Sequence, residues 1–262
     1  NVTHKFSEEQ GELVSSVKQA GKIALKYYQS DLKSWEKKPG DPVSEADIAI
    51  DTYLKEHLLT THPDYGWLSE ETVDDPSRLD KSRVWIIDPI DGTKSFISGM
   101  PTFGTLLGLT YQSAAKIGVI DMPVLAERWI GIEGEASTHN GEICRVSEVR
   151  RLEQAVLYCT EPEMFDQTQL TRFEQLSKAV QLRRFGGDCY CYGLLASGHI
   201  DLVVEGSLKY YDVMALIPVV EGAGGIITDW RGEPLTKDWD GLVVAAATPE
   251  LHREALKVLA ES

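Results

Sequence analysis

Positive charge is the scarce commodity in this chain of 262 residues: 26 Lys plus Arg stand against 41 Asp plus Glu, a formal net charge of −15. So acidic a balance argues against nucleic acid or an anionic membrane as a partner, because both are polyanions. The same field would repel a phosphate-bearing ligand unless something local reverses it. Otherwise the charge reads as a solubility device spread over solvated faces. Cysteine is also sparse. Cys144, Cys159, Cys189 and Cys191 show no CxxC spacing and read as reduced core thiols of a cytoplasmic protein. No apolar run approaches the roughly 18 residues of a membrane span. The opening NVTHKFSEEQ lacks a basic segment followed by an apolar stretch, so no signal peptide is visible; a start at Asn1 leaves room for a trimmed leader. What remains is ordinary for a globular protein, with 42% apolar and 26% charged residues. The length suits one or two domains and a core that needs no disulfide or metal merely to fold.

Periodicity divides the chain. Apolar positions Leu13, Val14, Val17, Ala20, Ala24 and Leu25 predict a helix over Ser7–Ser30, opened by a capping-box pattern at Ser7 to Gln10. A second helix is expected from Glu45 to Leu59, stopping at His62-Pro63, with Trp35 to Val43 as a polar connector. From Val84 onward, short β-branched and aromatic runs (VWIID, FGTLLGLTY, KIGVID, ERWIGI) predict strands. Glu133 to Ser147, with the turn signal His139-Asn140-Gly141, marks a plausible boundary between parts 1–135 and 136–262. Beyond it strands and helices alternate. AVLYCT, IDLVVE, IITDW and LVVAAA read as strands, and Gln167–Ala179 and Asp188–Ser197 as helices, the latter capped by Asp188. A helix opened by Asp212 is expected to be kinked by Pro218. A last helix is capped by Thr248, with Pro249 at its first position. The order implies an α+β first part and an α/β second part.

The strongest local signal is Trp85-Ile86-Ile87-Asp88-Pro89-Ile90-Asp91-Gly92-Thr93-Lys94. An apolar strand delivers two aspartates into a Pro/Gly turn before a helix starting near Thr93. Carboxylates at the end of a buried strand are costly unless a cation neutralises them, and a helix start offers N–H groups to an anion. A cation site beside an anion site is what metal-assisted phosphoryl transfer requires. The spacing fails the EF-hand pattern, and no Gly-Lys-Ser/Thr loop marks a P-loop. The bland alternative is an Asx-type turn with an N-cap. Glu70 and Glu71 beside turn residues, Asp47 after Asp41-Pro42-Val43-Ser44, and Asp212 after Lys209-Tyr210-Tyr211 add acids that singly would read as caps or solvated charges. Oxygen donors without a Cys/His cluster favour Mg²⁺ or Mn²⁺ over zinc.

Together, Asp41 to Asp47, Ser69-Glu70-Glu71-Thr72, Asp88 to Thr93, and Tyr211-Asp212 followed by Gly224-Gly225 resemble the inositol monophosphatase superfamily over nearly the whole chain. The resemblance implies a layered αβαβα sandwich of the inositol monophosphatase/fructose-1,6-bisphosphatase type. It also implies a homodimer and Mg²⁺-dependent hydrolysis of small phosphomonoesters with two or three metals per site. Carried over position by position, Glu70, Asp88 and the Ile90 carbonyl would hold one Mg²⁺, and Asp88, Asp91 and Asp212 a second. Thr93, with Asp47 and Glu70, would position and deprotonate the attacking water, and the N–H groups of Gly92 and Thr93 would hold the phosphate. Tyr211 departs from the Trp common in the family.

Phe185-Gly186-Gly187-Asp188-Cys189-Tyr190-Cys191-Tyr192, Lys94 to Gly99, Met122 to Trp129 and Ile200 to Trp230 are similar to the histidinol-phosphate phosphatase branch. Asp188 stands where inositol phosphatases carry a small residue, and Glu205 matches a family acid that contacts substrate. An added carboxylate suits a substrate bearing an ammonium group. Tyr190 and Tyr192 would flank an imidazole or pack in the core; Arg183 and Arg184 would meet phosphate, a partner subunit or solvent. The resemblance thus implies hydrolysis of L-histidinol phosphate in histidine biosynthesis. The alternatives are an inositol-1-phosphate or broad sugar phosphatase, and a catalytically idle metal-binding regulator.

Overall fold

The sequence alternates two kinds of apolar pattern, and the computed structural model, which describes residues 7–31, 33–38 and 41–260, shows how they stack. Helices α1 (Ser7–Tyr27) and α2 (Glu45–Thr61) lie on one face of a seven-stranded sheet. That sheet runs in the order β3 (Gly66–Ser69), β4 (Arg83–Asp91), β5 (Gly104–Tyr111), β6 (Ala114–Met122), β7 (Glu127–Ile132), β8 (Thr138–His139) and β9 (Glu142–Ile143). Only the β3–β4 pairing is parallel. Alternation along β4 sends Trp85 and Ile87 to the α1–α2 side and Val84 and Ile86 to the opposite side, as the period of two requires. Asp88 continues the second register.

The second sheet comprises β10 (Val156–Cys159), β11 (Leu182–Phe185), β12 (Leu202–Glu205), β13 (Ile226–Thr228) and β14 (Val243–Ala246) in the order β11-β10-β12-β14-β13. The β11-β10-β12 pairings are parallel and the rest antiparallel. Between the sheets lie α5 (Tyr190–Ala196), α6 (Tyr210–Val213) and α7 (Leu216–Gly222), whose Leu195, Val213, Leu216 and Val220 share a core with Ile86, Ile120, Val203 and Val243. On the far side, Phe173 and Leu176 of α4 (Gln167–Ala179) and Leu251 and Ala255 of α8 (Pro249–Ala260) cover Leu157, Leu202 and Val244. Helix, sheet, helix, sheet, helix: the layers are the expected αβαβα sandwich.

Three glycines set how closely the middle helices approach. Gly108, Gly118 and Gly131 face one another across β5, β6 and β7. A Cβ on Gly118 would lie 1.9 Å from the Ala215 carbonyl oxygen, and one on Gly131 2.3 Å from the backbone of Pro218 and Val219. The chain from Ala215 to Val219 therefore lies directly on the sheet backbone, which brings Asp212 over the end of β4.

Several local expectations change. Trp35 to Val43 contains an antiparallel ribbon of β1 (Ser34–Lys38) and β2 (Asp41–Ser44) rather than a plain connector. The Ser7–Gln10 capping pattern begins on side chains outside the described residues. The helix expected around Pro218 is broken earlier, between α6 and α7. Pro218 then falls in the first turn of α7, where a missing N–H costs little. Asp188 does not cap α5, which starts at Tyr190 with Cys189 before it; Asp188 itself sits at φ 48°. Thr248 caps α8 as expected, accepting from the Leu251 N–H at 3.2 Å.

Candidate active site

Three loops converge where β4 ends. Glu70 follows β3 on a loop held by the buried carboxylate of Asp51, which accepts from the hydroxyls of Ser69 and Thr72 on either side. Asp88 ends the regular part of β4, and a bulge between Asp88 and Asp91 turns the strand. Asp212 enters from α6, its Oδ2 accepting from the Lys209 N–H at 2.8 Å. Ligand oxygens of Glu70, Asp88 and Asp212 lie within 4.8 Å of one another. Asp91 is beside this group but partly committed, its Oδ2 accepting from the Cys189 N–H at 2.8 Å.

Electrostatically the cluster is unstable by itself. Burial, and then the charges of Glu70, Asp91 and Asp212, push the Asp88 carboxyl well above the usual range. Burial and the Asp91 charge push Asp212 up to about 7, and burial raises Asp91. Asp88 Oδ1 is fully buried without a hydrogen-bond partner. A buried carboxylate oxygen lacking a donor, among like charges, is the environment that a hard cation relieves. The donor set, carboxylate oxygens with the Ile90 carbonyl nearby, fits Mg²⁺ or Mn²⁺.

Behind the cluster stands a hydroxyl–carboxylate pair. Thr93 opens α3 (Thr93–Ile97) after Gly92, whose φ of 87° makes the turn. Thr93 Oγ1 lies 3.1 Å from Asp47 Oδ1 and 3.1 Å from the Ile90 carbonyl oxygen. Asp47, fully buried at the third position of α2, is fixed through Oδ2 by the Ser44 N–H at 2.8 Å and the Ser44 hydroxyl. Burial raises its carboxyl above the ordinary value.

These groups face a cavity of about 340 Å³ lined by Glu70, Asp88, Ile90, Asp91, Gly92, Thr93, Asp188 and Asp212. Asp47 is not in its wall; its link to the cavity is the hydrogen bond from Thr93. Glu205 is not in that wall either. It lies in a smaller annex of about 110 Å³ that shares Asp91, Asp188 and Asp212 with the main cavity. There its Oε2 accepts from the Thr160 N–H at 2.8 Å and its Oε1 from the Tyr192 hydroxyl at 2.9 Å. Burial pushes Glu205 up to about 7, and burial with the charges of Asp91, Glu205 and Glu161 pushes Asp188 well above the usual range. Tyr192 borders the annex. Tyr190 turns away, its hydroxyl donating to Glu127 Oε2 at 2.5 Å and its ring against Trp129. Arg183 and Arg184 stay on the exposed edge strand β11, with Arg183 over the Phe185 ring.

Sequence reasoning missed Lys94, Thr160 and Glu161, which also line the cavity. Thr160 and Glu161 follow the end of β10, and ligand crevices in α/β sheets open at the C-terminal ends of strands; that was the available signal.

A cation-seeking carboxylate cradle beside a turn into a helix, with a half-buried hydroxyl hydrogen-bonded to a buried carboxylate, suits metal-assisted hydrolysis of a phosphomonoester. The chain belongs to the inositol monophosphatase family, whose profile matches residues 7–262, and like its named relatives it is a phosphatase, not an idle regulator. It is 38% identical over 249 residues to the Bifunctional phosphatase IMPL2, chloroplastic, of Arabidopsis thaliana, covering 92% of this chain and 71% of that protein. A Histidinol-phosphatase of Chlorobaculum parvum is 36% identical, with 86% and 87% covered. The structure of an inositol monophosphatase from Zymomonas mobilis superposes with a TM-score of 0.90 at 35% identity, covering 98% of this chain and 99% of that one. Relatives with two different activity names thus stand at nearly equal identity, and the site must choose between them. Among the described residues no helix is long and apolar enough to cross a membrane.

Proposed function

We propose that this enzyme hydrolyses L-histidinol phosphate to L-histidinol and phosphate, as a cytoplasmic homodimer serving histidine biosynthesis. The observation that carries the substrate choice is Asp188, a carboxylate shared by the main cavity and the annex. A neutral polyol would gain only a hydrogen bond from it, whereas an ammonium group gains a charge-assisted one. The dimer rests on the family resemblance, and four buried, unpaired cysteines suit a reducing compartment.

In this reading Glu70, Asp88, Asp91, Asp212 and the Ile90 carbonyl would hold two or three Mg²⁺. When bound, the metals neutralise the cradle, lower the pKa of the attacking water and stabilise the leaving alkoxide. The protein's own part is positioning and proton transfer. Thr93 Oγ1 accepts a proton from the water as its own proton passes to Asp47 Oδ1, whose burial favours the protonated form. Glu70 helps to orient the same water. Gly92 and Thr93 present backbone N–H groups to the phosphate, and Asp188, with Glu205 behind it, faces the ammonium. Labour is divided between residues 1–135, with most metal ligands, and 136–262, with Asp212 and the selectivity acids.

Comparing kcat/KM for histidinol phosphate and inositol 1-phosphate tests this choice. A preference of about tenfold or more for histidinol phosphate is expected from one charge-assisted contact. Equal values, or a preference for inositol 1-phosphate, would replace the proposal with the inositol or sugar phosphatase reading.

A further inference from the structure

Lys94 is the single base among the described residues lining the main cavity, amid six carboxylates. Its Nζ does not face the cradle unpaired; it meets Glu161 Oε1 at 2.8 Å. The pair crosses the cavity from the first turn of α3 to the segment after β10. Both side chains keep water contact, at 55% and 36% exposure, so the bridge itself holds the fold only weakly. The backbone under Glu161 is fixed by contrast: the Thr160 N–H donates to Glu205, and the Thr160 carbonyl accepts from the Gly186 N–H at 2.9 Å. Glu161 also borders the annex beside Asp188. A weak ion pair on a firm support, set between the phosphate side and the Asp188 side of one cavity, is suited to opening.

We propose that Lys94 and Glu161 exchange partners when substrate enters: the phosphate takes the Lys94 ammonium, and a cationic amine on the same substrate takes the Glu161 carboxylate. No covalent bond changes. One ion pair within the protein and the opposite charges of one zwitterionic ligand become two pairs between protein and ligand. An ester without an amine would draw Lys94 away and leave Glu161 without a counter-charge beside Asp188. The exchange therefore selects phosphomonoesters carrying an amine close to the ester oxygen. It rests on the histidinol phosphate reading only in sharing that class of substrate.

The test uses a matched pair, 2-aminoethyl phosphate and 2-hydroxyethyl phosphate, which differ in amine against hydroxyl. Glu161→Gln is expected to lower kcat/KM for the amino ester about fivefold, mainly through KM, the range of a partly exposed ion pair, and not to lower that for the hydroxy ester. Lys94→Gln lowers both by a similar factor. In the Lys94→Gln background, Glu161→Gln still penalises only the amino ester. Inhibition by inorganic phosphate separates exchange from bracing: Glu161→Gln, which frees Lys94, tightens it, and Lys94→Gln weakens it. Equal losses on both esters from Glu161→Gln, or weaker phosphate inhibition in both variants, would make the bridge a structural brace and overturn the proposal. A wild-type preference for inositol 1-phosphate over histidinol phosphate, with the matched-pair pattern intact, would instead sink the substrate assignment and keep the exchange.

Discussion

Two groups of buried acids sit side by side in this enzyme, and they solve the cost of burial differently. In the cradle of Glu70, Asp88 and Asp212, three carboxylates approach within 4.8 Å and Asp88 Oδ1 finds no donor. In the annex, Glu205 is equally buried, yet each of its oxygens accepts a hydrogen bond, from Thr160 and from Tyr192. Desolvation of a carboxylate is offset either by donors that the fold supplies or by a cation that it does not. The cradle thus leaves buried negative charge that a cation would neutralise. The annex is complete by itself, which suits a wall that selects a ligand.

The largest expected effect breaks the cradle. Asp88→Asn removes a charge from the residues that would hold the metals, and turnover should fall by about a thousandfold, as for loss of a central electrostatic group. Stability should move the other way. Without metal the variant loses like-charge repulsion, so in chelator its Tm should exceed that of the wild type. Saturating Mg²⁺ at about a hundred times Kd stabilises the wild type by about 2.7 kcal/mol, and the variant should gain almost none. A variant that Mg²⁺ stabilises as much as the wild type would remove Asp88 from the ligand set.

A smaller effect, on stability, distinguishes the groups by pH. The folded-state pKa of Glu205 lies at about 7, above its ordinary 4.5. Between those values the folded chain keeps a proton that the unfolded chain releases, so stability falls as pH rises through that window and levels off above about 7. A shift of this size corresponds to about 3 kcal/mol. Asp212, raised to about 7, acts in the same direction in the metal-free protein. Saturating Mg²⁺ holds the cradle ionised and should cancel the cradle's share of the slope while leaving the annex's share. Thermal melts from pH 5 to 8, with chelator and with Mg²⁺, measure both. Glu205→Gln should reduce the slope that survives in Mg²⁺; an unchanged slope would mean that Glu205 does not hold its proton.

The cradle was more legible in the sequence than the annex, for a physical reason. Asp88, Asp91 and Thr93 fall within six residues, on a strand and turn whose local pattern fixes their geometry. Most helices and strands were legible too, because burial imposes periods of two and 3.6; their stacking in layers was implied by the family resemblance. Asp51, which braces Glu70 through Ser69 and Thr72, looked like any helical acid, since its partners lie 18 and 21 residues away. Lys94 and Glu161 are 67 residues apart, and nothing local announces their meeting. The Asp188 cap failed because Gly186 and Gly187 at φ 101° and 105° swing the chain so that Asp188 faces the cavity instead of the helix end. The row of Gly108, Gly118 and Gly131 emerges only when the strands are aligned.

The smallest effect bears on selectivity. Asp188 occupies φ 48°, a left-handed conformation that Asn tolerates better than Ala, so Asp188→Asn removes the charge with little backbone cost. Its Oδ2 accepts only a long 3.4 Å bond from the Ser95 hydroxyl, and no cap is lost, because none is made. A purely structural Asp188 would therefore tolerate Asn, or lose activity equally on all esters. A carboxylate facing an ammonium predicts otherwise: kcat/KM for histidinol phosphate should fall about tenfold, and for a neutral sugar phosphate about twofold or less, the difference between a charge-assisted contact and a neutral one. Parallel losses on both esters would return Asp188 to scaffolding and leave the annex without its selective acid, with the metal cradle untouched.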